Sequence, residues 1–364
     1  MNGNHQQILP NNSVLKTCAG LSFMIKRLMS GLLITPVLAF GYPPPLHQSS
    51  GGTASLYIEN DTFGGEDRDY SNGTRLSWIS DPLSISYFDS LANMTGILTW
   101  SELENSSEVR YRYGLSVTQL IFTPADFRAY DQPEGERRYA GWLAMGFSLH
   151  AQVENVLNSM EFTLGTIGPN SFAKDAQDAI HEMRNTYKFN GWNEQIPNEI
   201  TADVSFIQKR RMDINSMDCR SFSMDGILEW GQRLGTFRTA THLGAMLRGG
   251  FHLAPDFSDL RLSETAYAHR NARVDGSTSS DWSAYFLGGT VIRGVAHDAT
   301  LDGPLFRDFE TGNTREPFVA EAFFGIGLAY RGMELSYVHT WRSKEYEEQD
   351  GISEFGSVGL RFRF

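Results

Sequence analysis

The sequence predicts an all-β protein: a transmembrane antiparallel β-barrel of about twelve strands with a helix in an outer loop. Three observations carry that prediction. Twelve strand-like segments follow one another, many with the ~9–11 residues that a tilted strand needs to cross a bilayer. The last segment alternates without a break, with Val358, Leu360, Phe362 and Phe364 on one face and Ser357, Gly359, Arg361 and Arg363 on the other. A basic, then apolar, leader at the start and a terminal Phe364 complete the pattern of a bacterial outer-membrane barrel.

The alternation has two physical readings. A soluble sandwich buries the apolar face against a second sheet, whereas a membrane barrel turns it to lipid and keeps polar side chains inside. Phe318, Ala320, Ala322, Phe324, Ile326, Leu328 and Tyr330 repeat the apolar face in an earlier segment. Arg361 and Arg363 are expected in the lumen, because a lipid-facing Arg costs about 2–4 kcal/mol at the midplane.

In the leader, Met24-Ile-Lys-Arg is basic, Leu28 to Phe40 is apolar apart from small residues, and Ala39-Phe40-Gly41 has the small-x-small form of a cleavage site. Residues 1–41 therefore read as an upstream extension and signal peptide, 42–52 as a Pro/Ser/Gly-rich linker, and 53–364 as one barrel. Cleavage leaves 364 − 41 = 323 residues and removes Lys16, Lys26 and Arg27, taking the net charge from −12 to −15. That acidity argues against nucleic acid as a partner. Without Cys18, Cys219 stands alone, so no intramolecular disulfide is expected.

In order, the expected strands are 53–61, 70–79, 111–123, 137–153, 156–168, 199–213, 217–231, 235–247, 281–297, 315–331, 332–345 and 354–364. With a periplasmic start, the first, third and fifth connections lie at the outer end: Asn60–Ser71, Thr123–Glu136 and the segment after Gly168. Tight turns are expected at Gln152–Asn155, Ile214–Ser216 and Arg331–Gly332, whereas 80–110 and 248–280 are long for periplasmic turns.

From Ser171 to Tyr187 there is no Gly or Pro, and Phe172, Ala176, Ala179, Ile180, Met183 and Tyr187 recur at helical spacing. Asn170 or Ser171 can cap this helix (about 171–188), and Asn190-Gly191 can end it. Gln177 and His181, four apart, share one side of it, which suggests either chemistry or simply a solvated polar face. The first outer loop offers Asn60, Asp61, Glu66, Asp67 and Asp69, oxygen donors suited to a hard cation such as calcium, although without the spacing of a calcium hand. His150 has the parity of a lumen residue. Trp78, Trp142, Trp192, Trp282 and Trp341 read as strand-end or interface aromatics, and Arg137-Arg138 as a solvated loop edge or a phosphate contact.

Several of these motifs together are similar to one family. END…DYSNG from Glu59, YAGWL at Tyr139–Leu143, IGP…AQDAIH, GWNEQ at Gly191–Gln195 and LDG at Leu301–Gly303 resemble the outer-membrane lipid A 3′-O-deacylases. The resemblance spans most of the chain beyond the leader. It implies a twelve-stranded barrel and calcium-dependent removal of the 3′-linked acyloxyacyl chain of lipid A, the lipid part of lipopolysaccharide. The site would face the outer leaflet, between the barrel wall and an outer-loop helix. Residue by residue, the family's catalytic His falls on His181, its partner Gln on Gln177, its Asn-Asp pair on Asn60 and Asp61, and its hydroxyl residue on Ser71. The family's second-loop Lys has no counterpart here, and Arg128 is the nearest cation. The implied mechanism is direct attack by water, with His181 as base and calcium, held by Asn60 and Asp61, at the oxyanion. The rival readings are a non-catalytic porin-like barrel and an outer-membrane phospholipase. The latter usually needs a Ser-His pair in the barrel wall, and no such spacing is evident.

Overall fold

The computed structural model describes residues 52–63, 69–82, 109–214, 221–262 and 281–364. The expected leader, both cysteines, Glu66, Asp67 and most of the two long connections lie outside them. Twelve strands form one closed antiparallel meander. They are β1 (Thr53–Asn60), β2 (Asp69–Ile79), β3 (Arg110–Thr123), β4 (Ala140–Val153), β5 (Val156–Ile167), β6 (Glu199–Asp213), β7 (Phe222–Gly235), β8 (Arg238–Phe251), β9 (Trp282–Asp298), β10 (Phe318–Tyr330), β11 (Met333–Arg342) and β12 (Ser353–Arg363). Closure comes from β1 pairing with β12, Thr53 opposite Arg363 and Asn60 opposite Gly356. Every strand then has two neighbours and no edge is left open, the condition for a sheet in lipid.

The alternation becomes the two faces of the wall. On β10, Phe318, Ala320, Ala322, Phe324 and Ile326 point outward and are exposed, while Val319, Glu321, Phe323, Gly325 and Gly327 are buried inside. Arg361 faces the lumen as expected, 2.7 Å from Glu334. Its neighbours there form ion pairs: Arg75 with Glu161 at 2.6 Å, Arg233 with Asp203 at 3.2 Å, and Arg248 with Asp225 at 2.6 Å. Buried charge is tolerated because partners and hydrogen bonds replace water.

The lumen also holds chain. After β8, residues 252–262 turn back inside the barrel. There Asp256 accepts from Arg248 at 2.5 Å, Ser258 from Arg361 at 2.9 Å, and Glu59 accepts the Leu262 N–H at 2.7 Å. The described part of this long connection is an internal strap.

Two strands differ most from expectation. The sequence placed them at 217–231 and 235–247; they run Phe222–Gly235 and Arg238–Phe251, joined at the outer end by only Thr236 and Phe237. Gly231, read as a strand end, is an interior position where a Cβ would press on the His242 ring and Ile207. The Ile214 N–H still donates to the Met224 carbonyl at 2.9 Å, and the rest of the turn expected at Ile214–Ser216 lies outside the described residues. Arg331-Gly332, with φ of 45° and 87°, is tight as expected, both residues in the left-handed region that such hairpins use.

Candidate active site

The single α-helix among the described residues, α1 (Ala173–Met183), follows β5 and lies on the outside of the wall. Its start differs from expectation. Pro169–Ser171 form a 3-10 turn in which the Ser171 hydroxyl donates to the Gly168 carbonyl, and the N-cap is Phe172 in the left-handed region, φ 56°. Its end comes before Asn190-Gly191. Asn185, φ 52°, is the left-handed residue, and the Thr186 N–H returns to the His181 carbonyl at 2.9 Å, closing a Schellman motif.

Three contacts hold α1 against the wall. Gln119, on the outward face of β3, donates to the Ser171 carbonyl at 2.7 Å. Gly141, on β4, leaves the space that Ser171 and Ala173 fill. The return segment tucks Phe189 and Trp192 into a cluster with Ile121, Tyr139 and Ala173. The sides of the helix are therefore reversed from a simple amphipathic expectation. Gln177 and His181 are buried, 5% and 8% exposed, while Phe172 and Met183 are 60% and 80% exposed.

The site proper is a cleft of about 270 Å³ on the outer side of the wall. Asn60, Ser71, Gln177 and His181 line it, with Ile58 and Thr62 beside them. Four of the five expected catalytic residues, drawn from β1, β2 and α1, are thus brought together. Ser71 gets there by a β-bulge: Tyr70 pairs with Phe122 and Asn72 with Ile121, so Ser71 is the extra residue, re-aimed as bulges allow.

His181 is oriented by its own chain. Its Nδ1 lies 2.5 Å from the Tyr187 carbonyl. A carbonyl only accepts, so Nδ1 carries the hydrogen and Nε2 is left with a lone pair. The Phe189 ring meets the imidazole edge to face, centroids 5.0 Å apart. Gln177 is fixed from the other side: its Oε1 accepts from the Trp192 indole N–H at 2.9 Å, so its NH₂ end is what it offers the cleft. Trp192 is thereby a site residue that the sequence reading missed, having been assigned to the interface aromatics. Trp142 is no interface residue either, since it is buried in the lumen and stacked on Phe237 at 4.1 Å.

Asn60 bridges β1 and β2, its Nδ2 donating to the Ser71 carbonyl at 2.6 Å and its Oδ1 accepting the Thr62 N–H at 3.0 Å. The Ser71 hydroxyl bonds to that of Thr123, not to a histidine. Asp61 opens the short 3-10 turn after β1 and is buried, but it does not line the cleft. Asp69, expected among the cation ligands, instead accepts from Tyr346 at 2.6 Å and Gln349 at 3.2 Å, fastening the last outer loop. Arg128 does not line the cleft; its guanidinium lies 5.7 Å over the Tyr187 ring. Arg184, at the end of α1, is the cation that does. Arg137 is neither loop edge nor phosphate contact: it is buried on Glu345 at 2.8 Å and Thr300 at 2.6 Å. A wall Ser-His pair does exist, His150 with Ser159 at 2.8 Å and Ser148 at 3.0 Å, but it faces the lumen, away from lipid.

A family model described as "Outer membrane protein LpxR" matches residues 28–364. The chain belongs to the LpxR family. This is the outer-membrane lipid A 3′-O-deacylase family that its motifs resemble, and it places the barrel in the bacterial outer membrane. Among solved structures, LpxR from Salmonella typhimurium is similar at 16% identity and a TM-score of 0.66, over 86% of this chain and 100% of that one. The β domain of the Bordetella autotransporter BrkA aligns at 13% identity and a TM-score of 0.42, over 86% and 100%. The translocator domain of the autotransporter NalP from Neisseria meningitidis aligns at 9% and 0.34, over 97% and 100%. At these identities the likeness to Salmonella LpxR shows the twelve-stranded fold and no more. Among curated proteins nothing matches.

Proposed function

We propose that this LpxR-family chain hydrolyses the ester that carries the 3′-linked acyloxyacyl chain of lipid A, using water activated by His181. What carries the reading is the placement of the His181 imidazole, its Nδ1 held by the Tyr187 carbonyl, in a cleft on the lipid side of the wall. His181 Nε2 takes a proton from water, and the water oxygen bonds to the ester carbonyl carbon as the carbonyl electron pair moves onto its oxygen. Collapse breaks the bond to the sugar 3′ oxygen, which recovers the proton from the imidazolium, leaving a carboxylic acid and a free hydroxyl. The Gln177 NH₂ holds the ester oxygen and Asn60 keeps β1 and β2 in register beneath it. Ser71, bonded to Thr123, shapes the floor and is not the nucleophile.

The donors around the cleft fit calcium in kind. Asn60 Oδ1, the Thr62 hydroxyl and the Ser71 carbonyl are oxygens of lining residues, and the buried Asp61 carboxylate, next in the chain to Asn60 and outside the lining, brings negative charge. No group of three acidic, His or Cys side chains clusters among the described residues, so water and substrate oxygens would complete the six to eight ligands calcium takes. Bound there, it would polarise the ester carbonyl as a Lewis acid.

The test is purified, folded protein given lipid A in one reaction and glycerophospholipid in another, each with and without chelator. Release of the 3′ chain from lipid A, stopped by chelator and restored by calcium, is expected. Equal hydrolysis of phospholipid would favour the phospholipase reading. Undiminished turnover after exhaustive chelation would remove calcium.

A further inference from the structure

We propose that α1 is an interfacial element: one flank lies in the outer leaflet against lipid acyl chains, and the other faces water. The inference rests on the outer-membrane location and the helix itself, not on the reaction proposed above.

Successive helical residues are about 100° apart, so α1 has three sides. Ala173, Gln177 and His181 form the wall side and are buried. Roughly 110–120° to one side lie Ala176, Ala179, Ile180 and Met183, all apolar, with Phe172 just before them. About as far to the other side lie Lys174, Asp175, Asp178 and Glu182, all charged, with Lys174 paired to Asp178 at 2.7 Å. A helix wholly in water has no reason to segregate its two free flanks in this way. One lying along a membrane surface does, burying its apolar face about 5–10 Å into the boundary.

The wall beneath supplies the second observation. Gln119 and Gly141, where α1 is anchored, are followed down their strands on the same outward face by Val117 and Leu143, then by Leu115 and Met145. Val117, Leu115 and Met145 are exposed, as the lipid-facing belt must be. Two strand residues advance about 7 Å, so the apolar belt begins within a side chain's reach of the helix. The apolar flank of α1 therefore continues the lipid-facing surface of the barrel at its upper rim. Its occupant is the acyl region of the outer leaflet. Ile180, on that flank, also lines the cleft with Ile58, so lipid contact and site share a border.

The experiment uses the full chain with Cys18→Ser and Cys219→Ser, reconstituted in vesicles of phosphatidylethanolamine and phosphatidylglycerol. Single cysteines replace Met183, Ala179, Lys174 and Glu182 in turn, all exposed on the protein and outside the cleft lining, and carry a small fluorophore. Heat-dependent migration on a gel checks that each barrel is folded. The labels at 183 and 179 are expected to be quenched several-fold more by nitroxide borne on lipid chains than by aqueous iodide, and those at 174 and 182 the reverse. Equal access of iodide to all four, or lipid quenching confined to 174 and 182, would overturn the proposal. The result does not depend on whether the protein cleaves any ester.

Discussion

At the scale of single residues, the site depends on which end of each polar group is already occupied. Tyr187 fixes the imidazole of His181, and Trp192 fixes the amide of Gln177. Trp192→Phe keeps the ring packed on Tyr139 but removes the indole N–H, leaving a buried amide oxygen unsatisfied. Such a loss costs about 1–3 kcal/mol, so the rate of 3′-acyl release is expected to fall roughly 5- to 100-fold with the barrel still folded. Unchanged kinetics in the folded Trp192→Phe protein would mean that Gln177 needs no such hold. This contact was present in the sequence only as the unexplained motif GWNEQ. A tryptophan in a barrel sequence is first read as an interface residue, and nothing in local spacing joins position 192 to 177.

At the scale of elements, the helix works because the wall makes room for it at Gly141. A Cβ there would collide with the Ser171 hydroxyl and the Ala173 methyl, so even Gly141→Ala must push α1 outward. Activity is expected to drop by an order of magnitude or more, since small misplacements of catalytic groups are costly, while the gel shift of the folded barrel is retained. A fully active Gly141→Ala enzyme would contradict the anchoring. The helix was legible from its periodicity and the lack of Gly and Pro, but its start was not. Asn170 and Ser171 look like caps, yet Ser171 spends its hydroxyl on Gly168 and the chain enters through a left-handed Phe172. Similarly, alternation found all twelve strands, but the ends of β7 and β8 were misplaced by up to four residues because Gly231 serves packing, not a turn. Long-range contact decides both cases, and local pattern does not encode it.

At the scale of the whole molecule, a polar lumen is usually read as a channel, but here it is filled. Residues 253–262 run through it, and Arg261 and Arg248 are locked between strap and wall by Asp259, Asp256 and Glu321. Among the described residues, the cavity beside the strap, lined by Glu59, Arg75 and Arg261, holds about 80 Å³. Purified protein in planar bilayers is therefore expected to show no steady conductance at moderate voltage, where an open pore would give stable current steps. Such steps would favour the porin-like reading. The strap could not be foreseen because its ties, Glu59 to Leu262 and Arg361 to Ser258, join residues 203 and 103 positions apart. The barrel itself was legible because period-2 alternation is a local signal, and the motifs singled out Asn60, Ser71, Gln177 and His181, which line one cleft.

The central claim is that His181, held by Tyr187 in a cleft on the lipid side of the wall, activates the water that cleaves the 3′ ester. Mass spectrometry of lipid A after incubation with folded wild-type and His181→Ala protein tests it most directly. Wild type is expected to shift lipid A by the mass of the 3′ acyloxyacyl chain. His181→Ala should be slower by about 10²–10⁴-fold, with a residual rate that has lost its acid limb in the pH profile. Near-wild-type release by the folded His181→Ala protein would contradict the claim.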